Sequence, residues 1–165
     1  MKISISKKLM GMVFLPVLFI CIVVGYLCTT ILNTTIVNEI EKQLSVSAYS
    51  FYTEYGLTSG EELNSIMQDF KSVNEIDVTI FEDDVRTLST VNNAVGTKMD
   101  SRIHESIITG DNYFATNANV NGEAYFGYYI PMLKDGKYEG AVFTGIPQAE
   151  ANSLSQRALP RLLVM

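Results

Sequence analysis

The sequence predicts an α+β fold in which a long N-terminal helix, continuous with a membrane-spanning segment, precedes a five-stranded antiparallel sheet. Residues 9–32 are apolar and uncharged, and the segment after them keeps its apolar residues three or four positions apart. After residue 75 the apolar spacing changes to two, which is the period of a strand. Helices that precede such a sheet pack on one of its faces. We therefore expect the other face to hold a ligand beneath the segment that joins its strands.

The apolar run is long enough to cross a membrane. Its 24 residues would span roughly 36 Å as a helix, against about 30 Å for the apolar core of a bilayer. Pro16 lies within the run, and membrane helices tolerate proline. A cleaved signal peptide would have an apolar region of about 7–15 residues before its cleavage site. Because this run is longer and continues into a helical pattern, we predict an uncleaved anchor.

The charges around the run predict its orientation. Lys2, Lys7 and Lys8 precede it, and no basic residue follows it closely. Because basic flanks stay in the cytoplasm, we expect a cytoplasmic N-terminus and an extracytoplasmic remainder in the cell membrane. The predicted organisation is a cytoplasmic segment 1–8, a transmembrane helix 9–32, an extracytoplasmic domain 33–152 and the start of a truncated second membrane helix 153–165.

Two helices are predicted before the sheet. The first continues the membrane span over residues 33–55, because no Gly or Pro separates its apolar face from that span. We expect it to end at Gly56. Ser59 and Glu62 have the spacing of a capping box at the start of the second. The apolar stripe of that second helix consists of Leu63, Ile66, Met67 and Phe70.

Five strands and a short helix follow. Residues 76–81 and 85–91 are predicted strands around an Asp83-Asp84 turn, and a short helix starts at Asp100 or Ser101 and ends at Gly110. Asn121-Gly122, a strong hairpin signal, joins strands over 113–120 and 123–131. The last strand is predicted over residues 138–146, after a turn at 134–137.

Composition excludes several classes of function. Residues 33–152 carry 7 basic and 18 acidic side chains, and nucleic-acid binding requires a basic surface. Both cysteines, Cys21 and Cys28, lie in the membrane span, so the outer domain forms no disulfide. A single histidine, His104, is insufficient for a zinc site, and we interpret it as a solvated surface residue.

No catalytic residue, metal site or cofactor is expected. Glu82-Asp83-Asp84 suggests a cation site, but acids at a hairpin tip are more often a solvated turn. An anchored enzyme would need a catalytic group that the sequence does not reveal. A pilin-like structural subunit is another alternative, but pilins typically carry an acid early in the apolar helix, and residues 9–32 have none.

Aromatic and basic residues are the candidates for ligand binding. Tyr125 and Tyr129 face one side of a strand and Tyr128 the other, and a ring with a hydroxyl suits a small-molecule pocket. The alternative for each is ordinary sheet packing. Arg86 can hold a carboxylate through two bonds, or it is an exposed strand residue. Lys98 is a further candidate in the loop after that strand.

Several segments, in order, resemble a known family. They are residues 76–91 (IDVTIFEDDVRTLSTV), 94–98 (AVGTK), Tyr113-Phe114 and 122–147 (GEAYFGYYIPMLKDGKYEGAVFTGIP). Together they resemble the single Cache sensor domain of bacterial methyl-accepting chemotaxis receptors, over roughly residues 33–152. The resemblance implies a PAS-like five-stranded sheet outside the cell, which binds small organic acids or amino acids between the sheet and its covering loops.

The resemblance also implies roles for particular residues. Arg86 matches an arginine that grips a carboxylate in related citrate-type sensor kinases, but Gly127 stands where those sensors have a further arginine. A monocarboxylate or amino acid therefore fits better than a tricarboxylate. We expect the ligand-sensing part of a chemoreceptor that dimerises through the helix over residues 33–55. The sensor half of a histidine kinase or a cyclase is the alternative.

Overall fold

The structure, a computed structural model, describes residues 5–55 and 61–151, and the side chains of residues 12–54 and 62–151. The predicted cap at Gly56 and Ser59 and the predicted second membrane helix lie outside the described residues. The chain divides into two units, Met1–Asn38 and Glu39–Met165. The elements are α1 (Ile5–Tyr55), α2 (Glu61–Asn74), β1 (Asp77–Glu82), β2 (Val85–Ser89), α3 (Ser101–Ile107), β3 (Tyr113–Val120), β4 (Glu123–Lys134) and β5 (Lys137–Pro147).

The N-terminal helix α1 contains a candidate membrane span. Within the described part of the chain, one helix, Met12–Glu54, is long and apolar enough to cross a bilayer. Its large apolar side chains in the first unit, such as Phe14, Phe19 and Tyr26, are exposed. An exposed apolar surface of this length suits the apolar core of a bilayer. The helix thus has the length and composition predicted for the anchor, and the side of the membrane on which it begins stays a prediction.

The five strands form one antiparallel sheet with the order β2-β1-β5-β4-β3. The last strand, β5, therefore lies in the centre, between the β1–β2 hairpin and the β3–β4 hairpin, and it forms a further hairpin with β4. Tight turns join the two strands of each hairpin. The turn between β3 and β4 is possible because its central residues, Asn121 (52°) and Gly122 (88°), adopt positive φ. The predicted α+β fold class with its five-stranded sheet is confirmed.

The two faces of the sheet are covered by different elements. On one face, Phe51 of α1 and Met67 of α2 pack on Val78 and Val142. The Thr144 hydroxyl of β5 also donates a 3.0 Å hydrogen bond to the Leu44 carbonyl of α1. On the other face, α3 and the loop before it cover a second cluster of apolar side chains. We call this side of the sheet the α3 face.

The strands differ in extent from the sequence prediction. β2 ends at Ser89 instead of Val91, because the Thr90 hydroxyl turns inward and donates to the Asp77 carboxylate. β4 continues to Lys134 through Pro131, where residue 131 was predicted to be its end. Proline has no N–H, and at Pro131 this costs the sheet no hydrogen bond. The pairing of β3 with β4 ends at Tyr129, so β3 offers no acceptor beside Pro131. β5 is longer than predicted by one residue at each end.

Candidate functional site

Arg86 lies on β2 with its side chain on the α3 face. It is opposite Phe81 of β1, next to an irregularity in the pairing between Ile80 and Phe81. The guanidinium carbon is 5.0 Å from the centre of the Phe81 ring, a cation–π distance. Only 2% of the residue is exposed. The alternative interpretation of Arg86 as an exposed strand residue is therefore wrong.

Neutral groups surround the Arg86 guanidinium. Nη1 donates to the Thr97 hydroxyl (2.8 Å) and to the Lys98 carbonyl (2.7 Å), and Nη2 donates to the Asn119 carbonyl over a longer 3.2 Å. Nε is buried and has no acceptor. Within residues 62–151 no carboxylate forms an ion pair with this arginine. The site therefore holds a buried positive charge that the described side chains do not neutralise.

Burial also affects the titration of this arginine. Desolvation lowers the pKa of Arg86 from its ordinary value, and the nearby Tyr129 hydroxyl opposes that change. Arginine remains charged at neutral pH in either case, because its ordinary pKa is far above 7. A buried charge without an opposite charge is costly, since neutral acceptors replace only part of its hydration.

The loop that contains Thr97 and Lys98 is fixed along the edge of β2 by main-chain bonds. Arg86 N–H donates to the Thr97 carbonyl, and the Arg86 carbonyl accepts from Gly96 N–H. Gly96 has a φ of 83°, which a residue with a side chain adopts only with strain. The Thr97 hydroxyl donates to the Ala94 carbonyl, so its lone pair faces the guanidinium. The loop thus delivers two acceptors to Arg86.

The Lys98 side chain points away from Arg86. Its ammonium pairs with the Asp84 carboxylate at 2.7 Å, at the tip of the β1–β2 hairpin, and 69% of the side chain is exposed. This bond raises the pKa of Lys98 and lowers the pKa of Asp84. The main-chain carbonyl of Lys98, and not its ammonium, therefore belongs to the arginine site, and a role for the ammonium stays a prediction.

Tyr129 belongs to a row of rings that begins at Arg86. The Phe81 ring beneath the guanidinium is 6.2 Å from the Tyr129 ring, which is 4.9 Å from the Phe143 ring. Tyr129 is 1% exposed. Burial raises the pKa of its hydroxyl, and the charge of Arg86 acts against that rise. The structure thus brings Arg86 and Tyr129 together, with rings packed closely along the α3 face.

Tyr125 lies on the same face as Tyr129, at the far end of the row. Its ring is 6.4 Å from the Phe143 ring, and its hydroxyl donates to the Asp77 carboxylate at 3.2 Å. Asp77 also pairs with Lys71 at 2.6 Å. Burial raises the pKa of Tyr125, and the charge of Asp77 raises it further. The Tyr125 hydroxyl is therefore engaged in a structural hydrogen-bond network.

Tyr128 lies on the opposite face of the sheet, as the strand period predicts. It packs in the cluster that contains Leu44 of α1 and Ile146 of β5. Its hydroxyl is partly buried, and desolvation raises its pKa. The structure therefore separates Tyr128 from Arg86 and Tyr129 by the thickness of the sheet.

Three groups around Arg86 were not among the predicted site residues: Phe81, Thr97 and the Asn119 carbonyl. The proximity of Phe81 to Arg86 could have been predicted from the sequence, because the two residues lie on opposite strands of the same hairpin. Asn119 is 33 residues further along the chain, and no local pattern indicates which main-chain carbonyl reaches a distant side chain. An open groove of about 550 Å³ near Ile80, Thr87 and Met132 includes none of the predicted site residues.

The described residues offer no cluster of three or more His, Cys, Asp or Glu side chains with metal-binding geometry. Of the hairpin-tip acids, Asp84 pairs with Lys98, and Asp83 lies 3.1 Å from the imidazole of His104. That imidazole also contacts the Tyr138 ring edge to face at 5.5 Å. The groups around the Arg86 guanidinium are therefore aromatic rings and neutral acceptors, and the Asp77 carboxylate lies at the Tyr125 end of the row.

Comparisons with known proteins are consistent with this architecture. A family model described as single cache domain 3 matches residues 59–158. A search of the curated proteins gave no match. The sensor domain of DcuS from E. coli is similar at 12% identity and a TM-score of 0.54, over 72% of this chain and 96% of that domain.

Two longer solved structures are also similar over part of their length. An extracellular ligand-binding receptor from Desulfohalobium retbaense is 15% identical with a TM-score of 0.50, over 72% of this chain and 24% of that one. The sensor domain of the histidine kinase DctB from V. cholerae is 15% identical with a TM-score of 0.46, over 69% of this chain and 46% of that one. The chain thus spans less than half of each of these two structures.

Proposed function

The chain belongs to the single Cache domain 3 family, and we propose that it senses a small monocarboxylate or amino acid outside the cell. The observation that carries this proposal is the buried guanidinium of Arg86, which has no acidic partner among residues 62–151 and has a free Nε. A ligand carboxylate would supply the missing negative charge. The other groups around Arg86 suit such a ligand, because aromatic rings cover its apolar part.

The carboxylate would bind on one edge of the guanidinium. The N–H groups of Nε and Nη2 point in the same direction and match the two oxygens of a carboxylate. On that edge Nε is free, and Nη2 makes only its 3.2 Å bond to the Asn119 carbonyl. Nη1 keeps its two shorter bonds to the Thr97–Lys98 loop. The ligand therefore binds beside the main-chain acceptor on β3 and leaves the loop attached.

Binding would change the packing of the α3 face. The rings beside Arg86 are almost completely buried, so a ligand enters only when α3, its loop or a ring moves. The ligand then shifts a population between a packed and an opened arrangement, and its preference for the open one limits the energy transmitted. A route to the helix side exists on β5, because Phe143 faces the rings and Thr144 bonds to the Leu44 carbonyl of α1.

The proposed setting is a chemotaxis receptor in the cell membrane that acts as a homodimer. The resemblance of its segments to chemotaxis receptors supports this output, and a histidine kinase or cyclase output is the second candidate. Exposed apolar side chains on α1 outside the predicted span, such as Val46 and Tyr49, support a helix-to-helix dimer. We also propose that the domain binds without catalysis, since among residues 62–151 no base and nucleophile meet beside Arg86.

Isothermal titration of the full chain in nanodiscs with short carboxylates and amino acids tests the site. We expect at least one compound to bind the wild type, and Arg86→Met to abolish that binding. Arg86→Lys should weaken it strongly, because an ammonium cannot form the two parallel bonds. Arg102→Met is the matched control, since it removes an arginine whose side chain is 86% exposed. Unchanged affinity in Arg86→Met would refute the proposed site.

A further inference from the structure

Two glycines face each other in the centre of the sheet on the α3 face. Gly127 of β4 is in register with Gly145 of β5. Neither has a positive φ, so the backbone conformation does not require glycine. A Cβ atom at either position would lie 2.3 Å from a ring carbon of Phe143. Real Cβ contacts are not this short, so the glycines are required by the position of that ring.

The Phe143 ring therefore lies directly on the main chain of two strands. It is 1% exposed, and its neighbours along the row are Tyr129 at 4.9 Å and Tyr125 at 6.4 Å. If the ring were absent, the space would be a trough with the glycine pair as its floor and the two tyrosines as its ends. At both glycines the heavy atom nearest to an added Cβ is a carbon of the Phe143 ring.

The trough lies on the same face of the sheet as the arginine, and a row of ring contacts connects the two. From the guanidinium the row passes over Phe81 and then Tyr129 before it reaches the Phe143 ring. A ligand whose carboxylate binds Arg86 and whose remainder follows this row passes beside Tyr129. The apolar part of that ligand can extend until it meets Phe143.

We infer that Phe143 sets the upper size of the ligand by occupying the trough above Gly127 and Gly145. This inference rests on the proposed binding of a carboxylate at Arg86. The wild type then takes compact acids with a short apolar part. Removal of the ring opens the trough to longer or aromatic monocarboxylates, whose tail replaces the phenyl group on the glycine floor.

A series of straight-chain acids from acetate to hexanoate, with phenylacetate, tests the inference. The titrations use the full chain in nanodiscs, with blank titrations into empty nanodiscs. In Phe143→Ala each methylene that enters the trough should tighten binding about fourfold, so the preferred chain length increases and phenylacetate binds. Phe143→Leu, a smaller change, should give an intermediate preference and serves if the alanine variant does not fold.

The matched control is Phe126→Ala. Phe126 lies on the other face of β4, stacked on Phe114 at 6.5 Å between ring centres. Its removal should leave the order of affinities for the acids unchanged, although it costs stability. A chain-length profile in Phe143→Ala and Phe143→Leu that is parallel to the wild-type profile would overturn the inference.

Failure of the proposed function gives a different result. If acids bind the wild type and Arg86→Met equally well, the arginine site is wrong, whatever Phe143 does. If binding requires Arg86 but ignores the size of residue 143, only the present inference fails. If none of the acids binds the wild type but longer ones bind Phe143→Ala through Arg86, the ring blocks the site and the inference is supported. Absence of binding in every variant overturns both.

Discussion

Gly127→Ala places a methyl group where the Phe143 ring now lies. The new Cβ would be 2.3 Å from one ring carbon and 3.2 Å from another, so the ring must move within a packed layer. Such overpacking costs about 1–3 kcal/mol. Alanine also restricts the unfolded chain, which returns about 0.5–1 kcal/mol. We therefore expect a net destabilisation of about 1–2 kcal/mol.

The same substitution should behave differently once the ring is gone. Phe143→Ala alone costs about 3–5 kcal/mol as a large-to-small change in a core. In that background the methyl group introduced at position 127 meets no ring, so Gly127→Ala should be neutral or slightly stabilising. The double-mutant cycle should thus give a coupling of about 1.5–3 kcal/mol, within the range of residues in contact.

Thermal unfolding of the full chain in detergent measures the cycle. The chain has nine tyrosines and no tryptophan, so tyrosine fluorescence reports the transition. A cost of about 1–2 kcal/mol should lower the midpoint by roughly 3–10 °C in a domain of this size. Gly140→Ala is the control, because its Cβ would lie 2.0 Å from the Phe81 carbonyl oxygen, which Phe143→Ala cannot relieve. Equal cost of Gly127→Ala in both backgrounds would refute contact between the ring and the glycine.

Two further predictions concern the surface of the domain. Lys98→Met should raise the lowered pKa of Asp84 toward its ordinary value, as carboxyl NMR titration would show. The small stabilisation by this pair is present above the unfolded pKa of about 3.9 and is lost as the pH falls through the lower folded value; an unmoved pKa would contradict the assigned ion pair. Single cysteines along residues 33–55, in a chain whose Cys21 and Cys28 are replaced by serine, should form disulfide dimers with a period of three or four residues. Uniform or absent crosslinking would contradict the proposed homodimer.

Local sequence patterns determined the secondary structure to a large extent. β3 has the predicted bounds, and the Asn121-Gly122 turn has the predicted positive φ angles. The period of two correctly separated Tyr128 from Tyr125 and Tyr129. These features depend on residues within a few positions of one another, because turn geometry and strand alternation are properties of the nearby backbone. The ends of β2 and β4 depended on distant partners and were predicted less well.

The chemistry of the site was only partly accessible from the sequence. Arg86 was identified as a candidate, but its burial and its acceptors were not, and the ammonium of Lys98 lies at the surface. Asn119 lies on β3, at the opposite edge of the sheet from β2, so only the three-dimensional arrangement of the sheet brings its carbonyl to Arg86.

Residue patterns alone predict an apolar helix before an α+β domain with an Asn-Gly hairpin and an arginine on its second strand. The position of β5 between β1 and β4, and the contact of Phe143 with two glycines, emerge only in the folded chain. The two groups of features differ in the range of the interactions on which they depend. Periodicity and turns are encoded by neighbours in the chain. The hydrogen bonds to a buried charge and the filling of a trough depend on residues that only long-range strand pairing brings together.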